Sequence, residues 1–333
     1  MKLISLALAG LAVAGSAHAQ PAQSESPLQP LFDAREDTTT RTFRLLGRNA
    51  IWTPIATVET DFDTFHTEGL VKVGDAFFVS AVEVTAGTVR NEQSTDSLYD
   101  FTIDRSAGAG RGWLFKFDGD GHLLGKVELT RGDVYHPGGI DFDGQHIWVP
   151  VAEYRPNSAS DIYRVDPDTL EAQLVFTEQD HIGGIVHDTK RHTFHGVSWG
   201  SRRFYTWHER GKRVLPGSWT PNPSFYIDYQ DCHGRGVGFM LCGGLTSLAT
   251  PVGAVAFGGL ELVDLWRNQP VHQIPVNQFV DEGAGPKPTL ALTHNPFWVE
   301  PIEGGRLRFY FMPESDSKAE LRIFDVTPWV NRP

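Results

Sequence analysis

One short motif recurs along this chain and constrains its fold more than any other feature. A His, then a Gly within three residues, then an apolar run appears as His66-Thr-Glu-Gly69, His136-Pro-Gly-Gly139, His181-Ile-Gly-Gly184 and His233-Gly-Arg-Gly236, with a weaker copy at His294-Asn-Pro-Phe-Trp298. The copies lie 70, 45, 52 and 61 residues apart, and three continue into hairpin-like stretches at Leu70–Ser80, Ile140–Val151 and Ile185–Trp199. Self-similarity at such periods marks a fold assembled from one repeated supersecondary unit. A second landmark, a strand ending in Asp and then a turn, appears at Leu114–Asp118, Ile162–Asp166 and Leu321–Asp325. It follows its His by 30 residues at Asp166 and by 31 at Asp325, but by 52 at Asp118. The excess falls on Thr85–Arg111, a polar, Gly-rich stretch that reads as an inserted loop.

Helix signals are poor. The 34 Gly, 21 Pro and 11% aromatic residues accompany short apolar runs broken by turn residues, the pattern of many short strands. Four strands with their turns fill roughly 40–50 residues of a propeller blade, which suits the spacings. The expectation is an all-β, single β-propeller over residues 41–333, with five blades and six as the alternative. The copy from His294 offers only three strands, so the strand near Ile51–Val58 is expected to close the last blade. A pair of β-sandwich domains is the rival architecture.

The first 19 residues read as a secretory leader, with Lys2, an apolar run from Leu3 to Ala14, and a small-x-small site at Ala17-His18-Ala19. Cleavage there leaves 314 of the 333 residues, starting at Gln20, in the periplasm or outside the cell. Residues 20–40 are polar and Pro/Ser-rich, and read as a flexible arm. No later segment reads as a membrane span. The formal charge of −12 argues against nucleic acid as a partner, because neutralising phosphates needs a basic face. Only Cys232 and Cys242 occur, which excludes four-Cys zinc sites and leaves open whether the two pair across a hairpin.

In a propeller, the residues entering the innermost strands gather at one mouth of the central channel, with the loops joining second and third strands. The repeated motif therefore predicts that His66, His136, His181, His233 and His294 converge there. Neutral imidazoles in such a cluster suit a divalent metal ion, whether zinc, manganese, calcium or iron, with Glu68 as a further ligand or a base. The blander reading is that each His satisfies backbone groups at a strand start. The mouth loops would add Glu153, Tyr154 and Arg155 from one blade and Trp199, Arg202 and Arg203 from the next. Aromatic faces beside Arg forks suit a sugar ring carrying a carboxylate. Asp118-Gly-Asp120-Gly121 lacks the later Glu of a calcium loop and reads as a tight turn. No nucleophile elbow, phosphate loop or dinucleotide fingerprint occurs.

The runs His66-Thr-Glu-Gly, Tyr135-His-Pro-Gly-Gly-Ile-Asp141, Asp180-His-Ile-Gly-Gly184 and Asp228-Tyr-Gln-Asp-Cys232 resemble a family of exported bacterial propeller-like proteins of unknown function. That resemblance implies a fold and an export route, and no reaction. In layout the chain is also similar to propeller polysaccharide lyases of the rhamnose–glucuronate and oligogalacturonate types, some of which bind a metal through axial His. Gluconolactonase-like propellers share the layout, but their metal sites favour carboxylate and Asn ligands.

The resulting expectation is a metal-dependent enzyme acting on a small-molecule or oligosaccharide substrate, a lyase cleaving beside a uronic acid by β-elimination. His136, His181 and His233 would hold the metal, with His66, His294 and Glu68 beside them. Tyr154 or His66 would be the base, and Arg155 or Arg202 would hold the carboxylate. Two alternatives stand beside it. One is a metal-dependent lactonase, hydrolase or iron-dependent oxidative cleavage enzyme; the other is a non-catalytic binding or scaffold propeller.

Overall fold

The computed structural model describes residues 32–90, 105–211, 213–251, 253–280, 290–314 and 318–328. The expected leader, the first part of the arm and the middle of the inserted loop fall outside the described residues.

From Arg35 onward the chain is a five-bladed β-propeller, and each blade is one antiparallel sheet ordered from the axis outward. Blade one is His66–Val73, Ala76–Ala86, Ala109–Phe117 and Leu123–Glu128. Blade two has its innermost strand in two pieces, His136–Pro137 and Asp141–Phe142, followed by Ile147–Ala152, Ser160–Val165 and Ala172–Glu178. Blade three is Ile182–Asp188, Thr193–Ser198, Arg203–Arg210 and Arg213–Pro221, and blade four is Asp228–Arg235, Phe239–Thr250, Gly253–Asp264 and Gln269–Val276. Blade five takes Phe297–Ile302, Arg306–Phe311 and Glu320–Thr327 from the end of the chain. The N-terminal strand Ile51–Glu59 pairs antiparallel with Glu320–Thr327 and closes the ring, as the missing fourth strand required.

Apolar side chains alternate along the strands and pack between neighbouring blades. Phe77, Phe115 and Phe117 of blade one meet Tyr310 and Met312 of blade five in one such layer. Cys232 and Cys242 stand opposite each other on the first two strands of blade four and form a disulfide.

Two expectations need correction. The chain is already packed before Thr40: Arg35 pairs with Asp264 at 2.9 Å and lies 3.8 Å over the Trp266 ring. Asp37 caps the short helix Thr38–Phe43 by accepting from the Thr40 amide at 2.7 Å, and Phe43 is fully buried. The polar composition of residues 20–40 concealed the cap at Asp37 and the anchoring of Arg35. Asp325 also does not end its strand, which runs on to Thr327 because Arg308 and Arg306 hold the carboxylate within the sheet.

Candidate functional site at the upper channel mouth

Strand register defines the ring of residues at this mouth. In blade one, Thr67 pairs with Ala81 and Gly69 with Ser80, so Glu68 is an extra residue, a β-bulge that re-aims its side chain. Blade three gains Gly183 and blade four gains Gln230 in the same way. In blade two, Pro137 pairs with Val151 and Asp141 with Trp148, so the gain lies between them, beside Gly138. Two residues before each bulge stand His66, His136, His181 and, in blade four, Asp228. His294 joins from the turn entering blade five, its ring 6.5 Å from that of His66.

The corresponding bulge positions of blades two and three are glycines, Gly138 and Gly183, packed against each other. A Cβ on Gly138 would lie 2.3 Å from the Gly183 carbonyl oxygen. The Glu68 Oε1 atom is 2.9 Å from His66 Nε2 and 3.3 Å from His136 Nε2. The His136 ring is 6.4 Å from that of His66 and 6.1 Å from that of His181. Burial works against the charge of Glu68, but His136 and His66 outweigh it and hold the carboxyl below its ordinary pKa. Burial lowers His136 to about 4 against the pull of Glu68, so at neutral pH this ring is uncharged. His181 is lowered by burial as well.

His181 is the best-oriented group. Its Nδ1 lies 2.8 Å from the Glu153 carbonyl oxygen, which only accepts, so Nδ1 carries the hydrogen and Nε2 keeps a lone pair. Asp180 fixes the same turn by accepting from the His181 amide, the Asn157 amide, Arg203 Nη1 and the Tyr205 hydroxyl at 2.8–3.1 Å. The Tyr154 ring stacks on His136 at 4.2 Å, and Trp199 stands edge-on to His181 at 4.8 Å. These groups line a cavity of about 250 Å³ that also reaches Asp228 and Gln230. Arg105, at the described end of the inserted loop, lies 4.9 Å over the Trp199 ring.

His66, His136, His181, His294, Glu68, Tyr154 and Trp199 thus lie together at this mouth. His233 does not. Its motif is out of register by five residues, and its ring is fully buried farther down the channel, where Nε2 donates to the Phe297 carbonyl at 2.6 Å. Asp228 holds the mouth position of blade four. The three arginines are answered within the protein. Arg155 pairs with Glu153 at 2.6 Å, Arg203 with Asp180 at 3.0 Å, and Arg202 with Asp228 at 3.2 Å and the Ser224 carbonyl at 2.9 Å. Asp228, Gln230, Asp180 and Arg105 were missed by reading the sequence. The run Asp228-Tyr-Gln-Asp-Cys232 carries the signal for Asp228, which begins the innermost strand of blade four.

The fold and site define a class, the five-bladed β-propeller with an imidazole–carboxylate cluster at one mouth. Within it, this chain belongs to a family of unknown function (DUF6454), whose sequence model matches residues 36–329. No curated protein matches the chain. Among solved structures it is similar to a luciferin-regenerating enzyme (TM-score 0.45, 10% identity, 84% of this chain and 95% of that one). A hypothetical protein from Leishmania major has the same score at 10% identity, covering 84% and 92%. The tail fiber of Staphylococcus aureus phage P68 scores 0.45 at 8% identity, and the match spans 84% of this chain and about half, 53%, of the fiber.

Proposed function

We propose that this chain is an exported, metal-dependent enzyme that acts on a carbohydrate at the upper mouth, by β-elimination beside a uronate carboxylate. The observation that carries the reading is the convergence of His66 Nε2 and His136 Nε2 on one oxygen of Glu68, at 2.9 and 3.3 Å. With bonds of about 2.1 Å, ligand atoms on one metal lie roughly 3.0 Å apart in octahedral geometry and roughly 3.4 Å in tetrahedral geometry. These two separations support a divalent cation bound by Glu68 with His66 and His136, and burial that lowers His136 to about 4 favours the uncharged ring that ligation requires.

His66, Glu68 and His136 would hold the ion, which would neutralise the uronate carboxylate and acidify the adjacent C–H. His181, oriented by the Glu153 carbonyl, takes the α-proton on Nε2; the freed electron pair forms the Cα–Cβ double bond as the glycosidic C–O bond on the β carbon breaks, and the departing oxygen takes a proton from water at the open mouth. Tyr154 and Trp199 offer the sugar an aromatic wall. Arg202 holds Asp228 in place and does not meet substrate directly. Elemental analysis of the purified protein before and after a chelator, with absorbance of unsaturated uronate products, tests the reading. One bound divalent ion and chelator-sensitive product formation support it. Metal-free protein, with no turnover across a uronate panel after metal is supplied, sinks it.

A second reading is favoured by a specific observation. Among the described residues no three His, Cys, Asp or Glu side chains already converge as a ligand set. The same distances also suit two imidazole N–H groups donating to Glu68. His181 would then act as a general base without metal, in lactone or ester hydrolysis, and activity would survive the chelator.

A further inference from the structure

The second and third strands of blade four run on past the rest of their sheet. Pairing with the innermost strand stops at Asp228 and Leu245, and pairing with the outermost strand stops at Gly258 and Val276. Beyond these points the two strands stay paired only to each other, from Thr246 with Phe257 to Thr250 with Gly253. At about 3.4 Å per residue, this two-stranded arm extends roughly 17 Å beyond the sheet. It rises from the rim of the upper cavity, because Asp228, the last partner of Leu245, lines that cavity. Blades two and three fill the same place, between second and third strands, with short loops carrying Arg155 and Arg202.

Three features mark the arm as a contact surface. No charged residue occurs from Gly236 to Leu260, in a chain whose net charge is −12. Leu248 lies opposite Val255 and Phe257 opposite Thr246, so Leu248 and Phe257 share one face, and they are 50% and 47% exposed. Ser247, Leu248 and Ala249 are all exposed, and among the described residues no strand pairs with the outer edge of Thr246–Ala249. Soluble proteins guard such an edge with Lys, Pro or a bulge, and these four residues carry none.

An open edge asks for an extended strand. A bilayer supplies none, and unpaired backbone groups are not buried in hydrocarbon. A free peptide would need pockets for its alternate side chains, and two strands standing clear of their blade have no second layer to form them. A second copy of the same arm supplies both strand and fit. Antiparallel pairing about a two-fold axis at Leu248 sets Leu248 against its own counterpart and Ser247 against Ala249. Such self-pairing sets like against like, which a charged edge forbids and this one permits. It also lets two acidic copies meet through their uncharged part.

We propose that the arm is a docking surface for a second copy of this chain: two Thr246–Thr250 edges pair antiparallel and extend blade four into one sheet across the two-fold axis. Leu248 and Phe257 gain apolar cover in the pairing. A contact of this size lies near the lower limit of specific interfaces, about 1,000 Å² in total, so the dimer is weak, with a Kd in the micromolar range. The inference is independent of the reaction proposed for the upper mouth.

Sedimentation velocity of the purified protein, from about 1 to about 200 μM, tests this. Wild type should shift from monomer to dimer with concentration. Leu248→Lys and Leu248→Glu each set like charges face to face, and each should weaken self-association at least tenfold. An equimolar mixture of the two should associate again, because Lys then faces Glu. That rescue separates a lost contact from a folding defect, which thermal unfolding of each variant also checks. A wild-type monomer over the whole range overturns the proposal. So does a dimer that both single variants leave intact, or a mixture that stays monomeric. Co-flotation of monomeric wild type with neutral phosphatidylcholine vesicles would overturn it too, and give the arm to a membrane surface.

Discussion

Replacing Asp231 should cost this fold more than any surface substitution, and the structure says how much. Asp231 stands one residue past the bulge of blade four, with its side chain fully buried on the axis. Its Oδ1 accepts from the Ile140 amide of blade two at 3.1 Å and from the Cys232 amide at 3.0 Å. Its Oδ2 accepts from the Leu70 amide of blade one at 3.0 Å and from the Phe297 amide of blade five at 3.4 Å. One carboxylate thus ties four of the five innermost strands together. Asp231→Ala strands these donors in a buried site at about 1–3 kcal/mol each, and removes the counter-charge of His233. Water entering the vacated space offsets part of this, so the expected loss is about 4–6 kcal/mol, comparable with the whole stability of a typical domain at about 5–15 kcal/mol. Asp231→Asn keeps one acceptor oxygen and should lose about half as much. Urea unfolding followed by tryptophan fluorescence reads both values, with an unchanged denaturant slope as the check on two-state behaviour. A loss below about 1 kcal/mol for Asp231→Ala would refute the axial role.

Three further outcomes follow from the same axis and its surroundings. Burial alone would lower His233, but the Asp231 charge and its contacts with Asp141 and Asp231 outweigh that and raise it to about 9. Its contribution, on the order of 3 kcal/mol, is complete below pH 6.5 and lost as pH rises through about 9; pH-dependent unfolding should show this fall, and His233→Gln should flatten it. The Cys232–Cys242 bridge closes a loop of sequence separation 10, so reduction should cost about 2–3 kcal/mol, read by unfolding with and without reductant. Gly138→Ala places a methyl group 2.3 Å from the Gly183 carbonyl oxygen and should cost about 3 kcal/mol, with loss of the upper-mouth geometry visible in the His136 NMR signals.

The blade count and the closing strand were legible because they rest on repetition, and repetition survives in sequence. The recurring glycines have a physical cause at the axis. Gly69, Gly139 and Gly184 each follow the bulge of their blade, where inner strands crowd together: a Cβ on Gly69 would lie 2.5 Å from the Ile140 amide nitrogen, and one on Gly139 2.7 Å from Asp231 Oδ1. Three blades leave room there and the fourth fills it with Asp231. The pattern His233-Gly-Arg-Gly236 mimics the motif while sitting five residues away from its register, which sequence spacing cannot reveal. The pairings of Arg202 and Arg203 were also invisible, because each depends on a carboxylate presented by another loop or strand. His187 and Asp143 lie on different blades, 44 residues apart, and nothing local announces that they meet.

The filled axis also limits what the upper mouth can do. With Asp231 and His233 fully buried across the channel and Asp141 beside them at 3.8 Å, the upper cavity is closed at its base. A polymer cannot thread from one face to the other. Any ligand of the upper mouth must enter and leave by that same opening. The floor carries a positive charge on His233 that Asp231 and Asp141 answer, so it adds no free cation to hold an anionic substrate. In the proposed enzyme, recognition of a carboxylate would then fall to the ion that His66, Glu68 and His136 would hold at the rim. That division makes a clear demand of the proposed enzyme. Stripping the metal should weaken anionic sugars far more than neutral ones of equal length, and equal weakening of both would place the carboxylate elsewhere.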